Sequence, residues 1–212
     1  SPMPIDLNDL NLARLTAAQK APAADLFTRS FQDDPAYTHI FPDPQERSRA
    51  LRRVFDGVLT VALRYGQVDT TTGLHGVACW TLPGQHEVTL WRSLRTGFAL
   101  QRPVFGFSSA ARQRFMDVIG YIEKTHKQVM TRPHWYLWAL GVDPPYQGQG
   151  VGGQLLQPVL AQADAARAPC YLETQTERNV AFYRRHGFAV ATAEQVPHQD
   201  IMVWTMVREP RP

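Results

Sequence analysis

Apolar residues recur along this chain with two periods, one helical and one extended. Over residues 44–66 ("PQERSRALRRVFDGVLTVALRYG"), Leu51, Val54, Phe55, Val58, Leu59 and Ala62 lie three or four apart. That spacing puts them on one face of a helix. Gly66 stops the helix, since glycine readily takes the conformation that ends one. Residues 17–31 ("AAQKAPAADLFTRSF") carry the same spacing and halt at Asp33-Asp34-Pro35. Residues 10–16 read as a first strand. Residues 66–71 and 74–84 read as a strand pair, with Thr72-Gly73 between them and Pro83-Gly84 closing the second.

Residues 84–131 leave this alternation. Val88, Trp91, Leu94 and Phe98 make one helical stripe; Phe115, Ile119, Ile122, His126 and Val129 make another. Both are expected to face the core. A helical excursion between two strands reads as an insertion, and insertions often line substrate sites. Beyond it, residues 134–142 ("HWYLWALGV") form a buried strand. Residues 152–168 form a helix with Leu155, Leu156, Val159, Leu160 and Ala163 on one face. Pro158 sits inside that helix, deletes a backbone hydrogen bond and predicts a bend. A short strand at 170–175, a short helix at 179–187 closed by Gly187, and strands at 188–196 and 199–210 complete the chain. Strand–helix–strand order gives a parallel pair inside a mixed sheet. The expectation is one α/β (α+β) domain over residues 1–212, a mixed sheet flanked by helices, with a helical insertion at about 84–131.

Composition narrows the function. Hydrophobic residues make up 44% of the chain, enough apolar bulk for a real core. The formal charge is only +3 and no dense Lys/Arg run occurs, which argues against nucleic acid as a partner. Cys79 and Cys170 each sit in an apolar run without metal-ligand spacing, so no metal is expected. With no leader and no long apolar span, the expectation is a cytoplasmic protein with no membrane partner. Ser1-Pro2 reads as a cloning remnant ahead of a natural Met3 and is set aside.

The chemistry is concentrated in "WALGVDPPYQGQGVGGQLLQPVLAQA". Gly148, Gly150, Gly152 and Gly153 fall just before a helix. Backbone N–H groups at a helix start are unpaired and partly positive, and glycine lets a phosphate approach them. Gly148, Gly150 and Gly153 also fit the dinucleotide pattern G-x-G-x-x-G, with Glu173 where a ribose-binding acid would lie. Two facts oppose that reading. Asp143-Pro144-Pro145-Tyr146-Gln147 separate the strand from its first glycine. Too little chain follows residue 174 for the remaining units of a doubly wound sheet.

The loop resembles the acetyl-CoA-binding motif of the GNAT superfamily of N-acetyltransferases, Gln/Arg-x-x-Gly-x-Gly/Ala, matched by Gln147, Gly150 and Gly152. "ETQTERNVAFYRRHGF" is similar to the superfamily's next block, matched by Asn179, Tyr183, Gly187 and Phe188. "FQDDPAYTHIFPD" looks like a segment of the subgroup near puromycin N-acetyltransferase, which brings an antibiotic-like amine into view. The resemblance implies a strongly twisted central sheet that splits between the strand ending near Val142 and the strand holding Leu172. Acetyl-CoA would be the cosubstrate. Its pantetheine would pair with backbone at Leu140 and Val142, and contact Asn179 and Phe182. Its pyrophosphate would rest on the N–H groups of Gly148, Gln149, Gly150, Val151, Gly152 and Gly153, with Gln147 at its side.

Acetyl transfer needs a group that takes the amine's proton, a donor to the thioester oxygen, and a proton for the leaving thiolate. The Val142 N–H is the candidate donor. The resemblance puts Tyr183 near the sulfur as the acid, and a phenol is protonated at neutral pH; a plain packing role is the alternative. Glu173 ends a strand beside the split, as the base or as a solvated carboxylate. Asp33 and Asp34 lie where a substrate ammonium would be attracted, or serve the turn before Pro35. Asn179 alternatively caps its helix. His39, His126 and His134 are bases by chemical type alone. The expected partner is a small-molecule amine, with a peptide amine or a non-catalytic acyl-CoA-binding module as alternatives. Apolar residues in the insertion or last strand would permit a homodimer.

Overall fold

In a computed structural model, residues 10–85 and 89–211 are described; Val88 of the first insertion stripe and residues 1–9 lie outside them. The elements in chain order are β1 (Leu12–Arg14), α1 (Lys20–Ser30), α2 (Pro35–Ile40), α3 (Pro44–Tyr65), β2 (Gly66–Thr71) and β3 (Gly76–Thr81). Then come α4 (Leu90–Arg95), α5 (Arg102–Phe105), α6 (Ser109–Val129), β4 (Trp135–Val142), α7 (Val151–Ala165), β5 (Cys170–Thr174), α8 (Glu177–Arg185), β6 (Ala189–Gln195) and β7 (Met202–Arg208). Among the described residues, seven strands form one mixed sheet in the order β1-β2-β3-β4-β5-β7-β6. Only β4 and β5 run parallel; every other neighbouring pair is antiparallel.

Local chemistry sets the helix starts. Asp34 caps α2 by accepting from Ala36 N, and Asp43 caps α3 by accepting from Glu46 N at 2.6 Å. Each is followed by a proline, whose fixed φ and missing N–H suit a first helical turn. In α8 the cap is Thr176, which accepts from Asn179 N. Asn179 is therefore inside the helix and does not cap it.

Each face of the sheet carries its own core. On one side α7 sets Leu155, Leu156, Val159, Leu160 and Ala163 against Trp80, Leu137 and Leu172. On the other, α1 and α3 pack Phe27, Leu51, Phe55 and Leu59 over Val68, Val77 and Cys79. A third cluster joins α2 and α6 to Ile201 and Val203 at the β6–β7 end. Cys79 and Cys170 are buried free thiols, and α7 runs through Pro158 without ending there.

The insertion is helical, but its apolar pattern misleads in part. Trp91 is 74% exposed, Leu94 50% and Phe98 39%, so that stripe faces outward instead of into the core. α4 is only six residues long and has too little length to seat a stripe against the sheet. In α6 the fully buried positions are Ala111, Val118, Thr125 and His126, while Phe115, Ile119, Ile122 and Val129 are half-buried at its flanks.

Candidate active site

β4 and β5 pair at Trp135↔Cys170 and Tyr136↔Tyr171 and then separate. β4 continues to Val142 held by β3 alone, while Leu172, Glu173 and Thr174 pair with β7. The strands therefore diverge, as the resemblance implied. The gap opens into a cleft of about 950 Å³. Leu140 and Val142 form its β4 wall, the glycine loop its floor, and Asn179, Phe182 and Tyr183 its α8 wall; Phe31, Asp33 and Asp34 line its far end.

The direction of the Val142 N–H follows from its neighbour. Asp143 N donates to His75 O at 2.9 Å, on the β3 side. Successive N–H groups along a strand point to opposite sides, so the Val142 N–H faces the gap. The Val142 carbonyl accepts from Ser30 Oγ and Gln147 Nε2, both at 3.0 Å. The Gln147 amide thus bonds to the end of β4 while the residue lines the cleft. Gln149 Nε2 likewise turns back to Pro145 O.

The loop has a reason for each glycine. Gly148 (φ +76) and Gly150 (φ +86) are left-handed, and Gly150 is the N-cap of α7. A Cβ on Gly152 would stand 3.4 Å from Phe182 Cζ, and one on Gly153 would stand 3.0 Å from His186 Cε1. No side chain caps α7. The first backbone bond within that helix runs from Gln154 N to Gly150 O. The N–H groups of Val151, Gly152 and Gly153 are left for an anion, next to Arg178, Arg185 and His186 of the cleft. Neighbouring Arg29 is already engaged, bidentate with Asp143 at 2.8 Å. The donors present fit a pyrophosphate, and the β4 edge fits an amide-bearing arm.

Tyr183 is buried in the wall between Phe182 and Phe188, and burial raises its phenol pKa, so it stays protonated. Asp34 holds two backbone N–H groups, yet burial outweighs them and pushes its carboxyl up to about 6. Glu173 points to the face opposite α7, since its strand neighbours Leu172 and Cys170 fill the α7 core. Burial pushes its carboxyl up to about 7, against a downward pull from the phenols of Tyr136 and Tyr171. Its Oε1 and the Tyr171 Oη are both buried with no hydrogen-bond partner.

Of the histidines, His126 and His134 meet beneath Tyr171, with Nε2···Nε2 at 2.7 Å. His39 lies on α2 and bonds Gln199 in the β6–β7 loop, outside the cleft. The surroundings of Glu173 were the part the sequence reading missed. Tyr171 stands two positions before Glu173 in "CYLET", on the same strand face, and that spacing was the available signal.

The sequence model of the acetyltransferase (GNAT) family matches residues 79–188, from β3 to just past α8. The chain belongs to this family. It is 35% identical over 79 residues to the mycothiol acetyltransferase of Propionibacterium freudenreichii subsp. shermanii, covering 32% of this chain and 25% of that protein. It is 24% identical over 194 residues to a probable serine/threonine-protein kinase of Dictyostelium discoideum, covering 82% of this chain and 20% of that one. The chain thus spans a quarter or less of the length of these curated relatives. Among solved structures, the histone acetyltransferase HPA2 and related acetyltransferase of Corynebacterium glutamicum superposes with a TM-score of 0.67 at 22% identity, over 96% of this chain and 97% of that one. At that identity the likeness shows the fold.

Among the described residues, no group of three or more His, Cys, Asp or Glu is placed to hold a metal ion. No helix there is long and apolar enough to cross a membrane.

Proposed function

We propose that this chain is an acetyl-CoA-dependent N-acetyltransferase that moves an acetyl group directly to a primary amine of a small molecule. One observation carries the reading: the uncapped N-terminus of α7 and the free edge of β4 open into the same cleft, which the Tyr183 ring lines. The first suits a diphosphate and the second aims the attached thioester toward the gap.

Glu173 takes the proton of the attacking amine, directly or through water. A base with a pKa near the working pH combines the right protonation state with useful basicity. The Val142 N–H donates to the thioester oxygen as it becomes negative. Tyr183 gives its proton to the departing thiolate. Asn179 and Phe182 hold the pantetheine arm. Asp34, at the far end of the cleft, attracts the ammonium form of the acceptor. Antibiotic-like and amino-acid-like amines are the first acceptors to screen, given the Phe31-to-Pro35 segment.

Calorimetric titration with acetyl-CoA tests the binding half of this reading, and thiol release in the presence of an amine library tests the chemistry. No heat at millimolar acetyl-CoA would sink both. Binding without thiol release against any amine would leave a non-catalytic acyl-CoA-binding module, and release with peptides alone would move the acceptor to a protein amine.

A further inference from the structure

Two rings of α8 face the first turn of α7. A Cβ on Gly152 would stand 3.4 Å from Phe182 Cζ, and one on Gly153 would stand 3.0 Å from His186 Cε1 and 3.2 Å from its Nε2. Cα–Cβ bonds in a helix tilt toward its N-terminus. The Cε1–Nε2 edge of His186 therefore lies alongside the turn that leaves the Val151, Gly152 and Gly153 N–H groups open. His186 lines the cleft together with Gly150, Gly152 and Gly153. Phe182 packs against the imidazole, with centroids 4.8 Å apart and planes 57° from parallel. Arg208 Nε donates to the His186 carbonyl at 3.2 Å and so anchors the backbone. The imidazole itself makes no hydrogen bond among the described residues.

We propose that His186 binds the diphosphate of acetyl-CoA through Nε2 and takes up a proton from solvent as the ligand enters. The inference rests on the reading of this cleft as the acetyl-CoA site. The charged groups around His186 are cationic: Arg185 on its own helix and Arg211 after β7. Arg178 stands at the other end of α8, and every α7 residue that lines the cleft is uncharged. Arg208 of β7 is committed to Asp164 of α7, bidentate at 2.7 Å. Burial first, and then Arg185 and Arg211, hold the imidazole below the ordinary histidine value, so it is neutral near neutral pH. A diphosphate reverses that balance, because an opposite charge close by favours the protonated ring. Both nitrogens of the protonated ring donate. Nε2–H then joins the N–H groups of the α7 turn on the phosphate oxygens, in a hydrogen bond strengthened by charge on both sides.

The test reads the ring itself. The His186 imidazole is titrated by NMR in the wild type, its resonances assigned through the backbone, alone and saturated with coenzyme A. Coenzyme A should raise the His186 pKa by about one unit or more. Calorimetry with dephospho-coenzyme A, which lacks the phosphomonoester that itself titrates near pH 6, gives the affinity profile. Affinity should fall about fivefold from pH 6 to pH 8, as the site loses the proton it needs. His186→Gln keeps a donor without the charge; it should weaken binding about fivefold at pH 6 and less than about twofold at pH 8. A ring that only packs against Gly153 would instead cost affinity equally at both pH values. A wild-type His186 titration that coenzyme A leaves in place overturns the proposal even if no variant folds, while a measured binding heat keeps the acetyl-CoA reading. No heat at millimolar coenzyme A removes both. If His186 moves as expected but no amine yields free thiol, the binding role stands and the acetyl-transfer reading falls.

Discussion

Tyr136 of β4 and Tyr171 of β5 are the last residues paired before the two strands part. Their rings lie 5.4 Å apart, edge to face, on the side of the sheet covered by α6. Two residues further along β5, Glu173 is paired with Thr205 of β7, while β4 continues held by β3 alone. The split and the buried Glu173 carboxyl therefore lie on either side of one interruption in pairing.

Glu173→Gln should lower kcat by about 100-fold or more and yet stabilise the protein at high pH. The sign follows from proton counts. The carboxyl has a pKa of about 7 in the fold and about 4.3 unfolded. Between those values the native state holds the proton and the unfolded chain does not. The wild type therefore loses stability as pH rises from about 4 to about 7. Denaturant melts of both proteins should lie closest at about pH 4 and below, with the variant ahead at pH 8 by roughly 1–3 kcal/mol.

Tyr183→Phe should reduce kcat by roughly 10- to 100-fold with little change in the KM for acetyl-CoA. The phenyl ring retains the packing against Phe182 and Phe188. Single-turnover thiol release separates this outcome from a pure packing role, in which KM and melting temperature would change instead of the chemical step.

The loop glycines should divide into two classes. Gly150 has φ +86, where an L side chain is strained, so Gly150→Ala is expected to destabilise by about 1 kcal/mol and to weaken acetyl-CoA binding. Gly152 has an ordinary helical backbone, and its added methyl would meet its nearest neighbour, Phe182 Cζ, at 3.4 Å. Gly152→Ala should fold normally and weaken acetyl-CoA binding by roughly tenfold, since the methyl crowds the anion-binding N–H groups. Thermal melts beside calorimetry check both.

Asp34 serves a cap and, in the proposal, a substrate, and two variants separate these. Asp34→Asn keeps an oxygen for Ala36 N and should retain stability to within about 0.5 kcal/mol, while raising the KM for a cationic acceptor. Asp34→Ala also loses the cap and should cost about 1 kcal/mol. If Asp34→Asn leaves acceptor KM untouched, the carboxylate has only the structural role.

Much was legible along the chain because it depends on near neighbours. The stretch 44–66 became α3, and "GQVDTT" and "GVACWT" became β2 and β3, since spacing and flanking glycines determine such elements locally. The glycine loop was legible for the same reason: its residues act through their own backbone. The outward stripe of Trp91, Leu94 and Phe98 was not, because periodicity gives a face but not what that face meets. Nor was the cap of α8, where Thr176 and Asn179 are both competent residues and chain direction decides.

By itself, then, the sequence determined most of the order of elements, though not α2 or α5, together with the glycine loop ahead of α7 and the positions of Asn179 and Tyr183 in α8. Each of these is a matter of propensity, period or backbone freedom over a few residues. Only the tertiary structure decided that Glu173 sits buried beside Tyr136 and Tyr171, with His126 stacked beneath and locked to His134. Those groups come from α6, the loop before β4, β4 and β5, and burial, which sets their chemistry, is a property of the packed molecule rather than of any one segment.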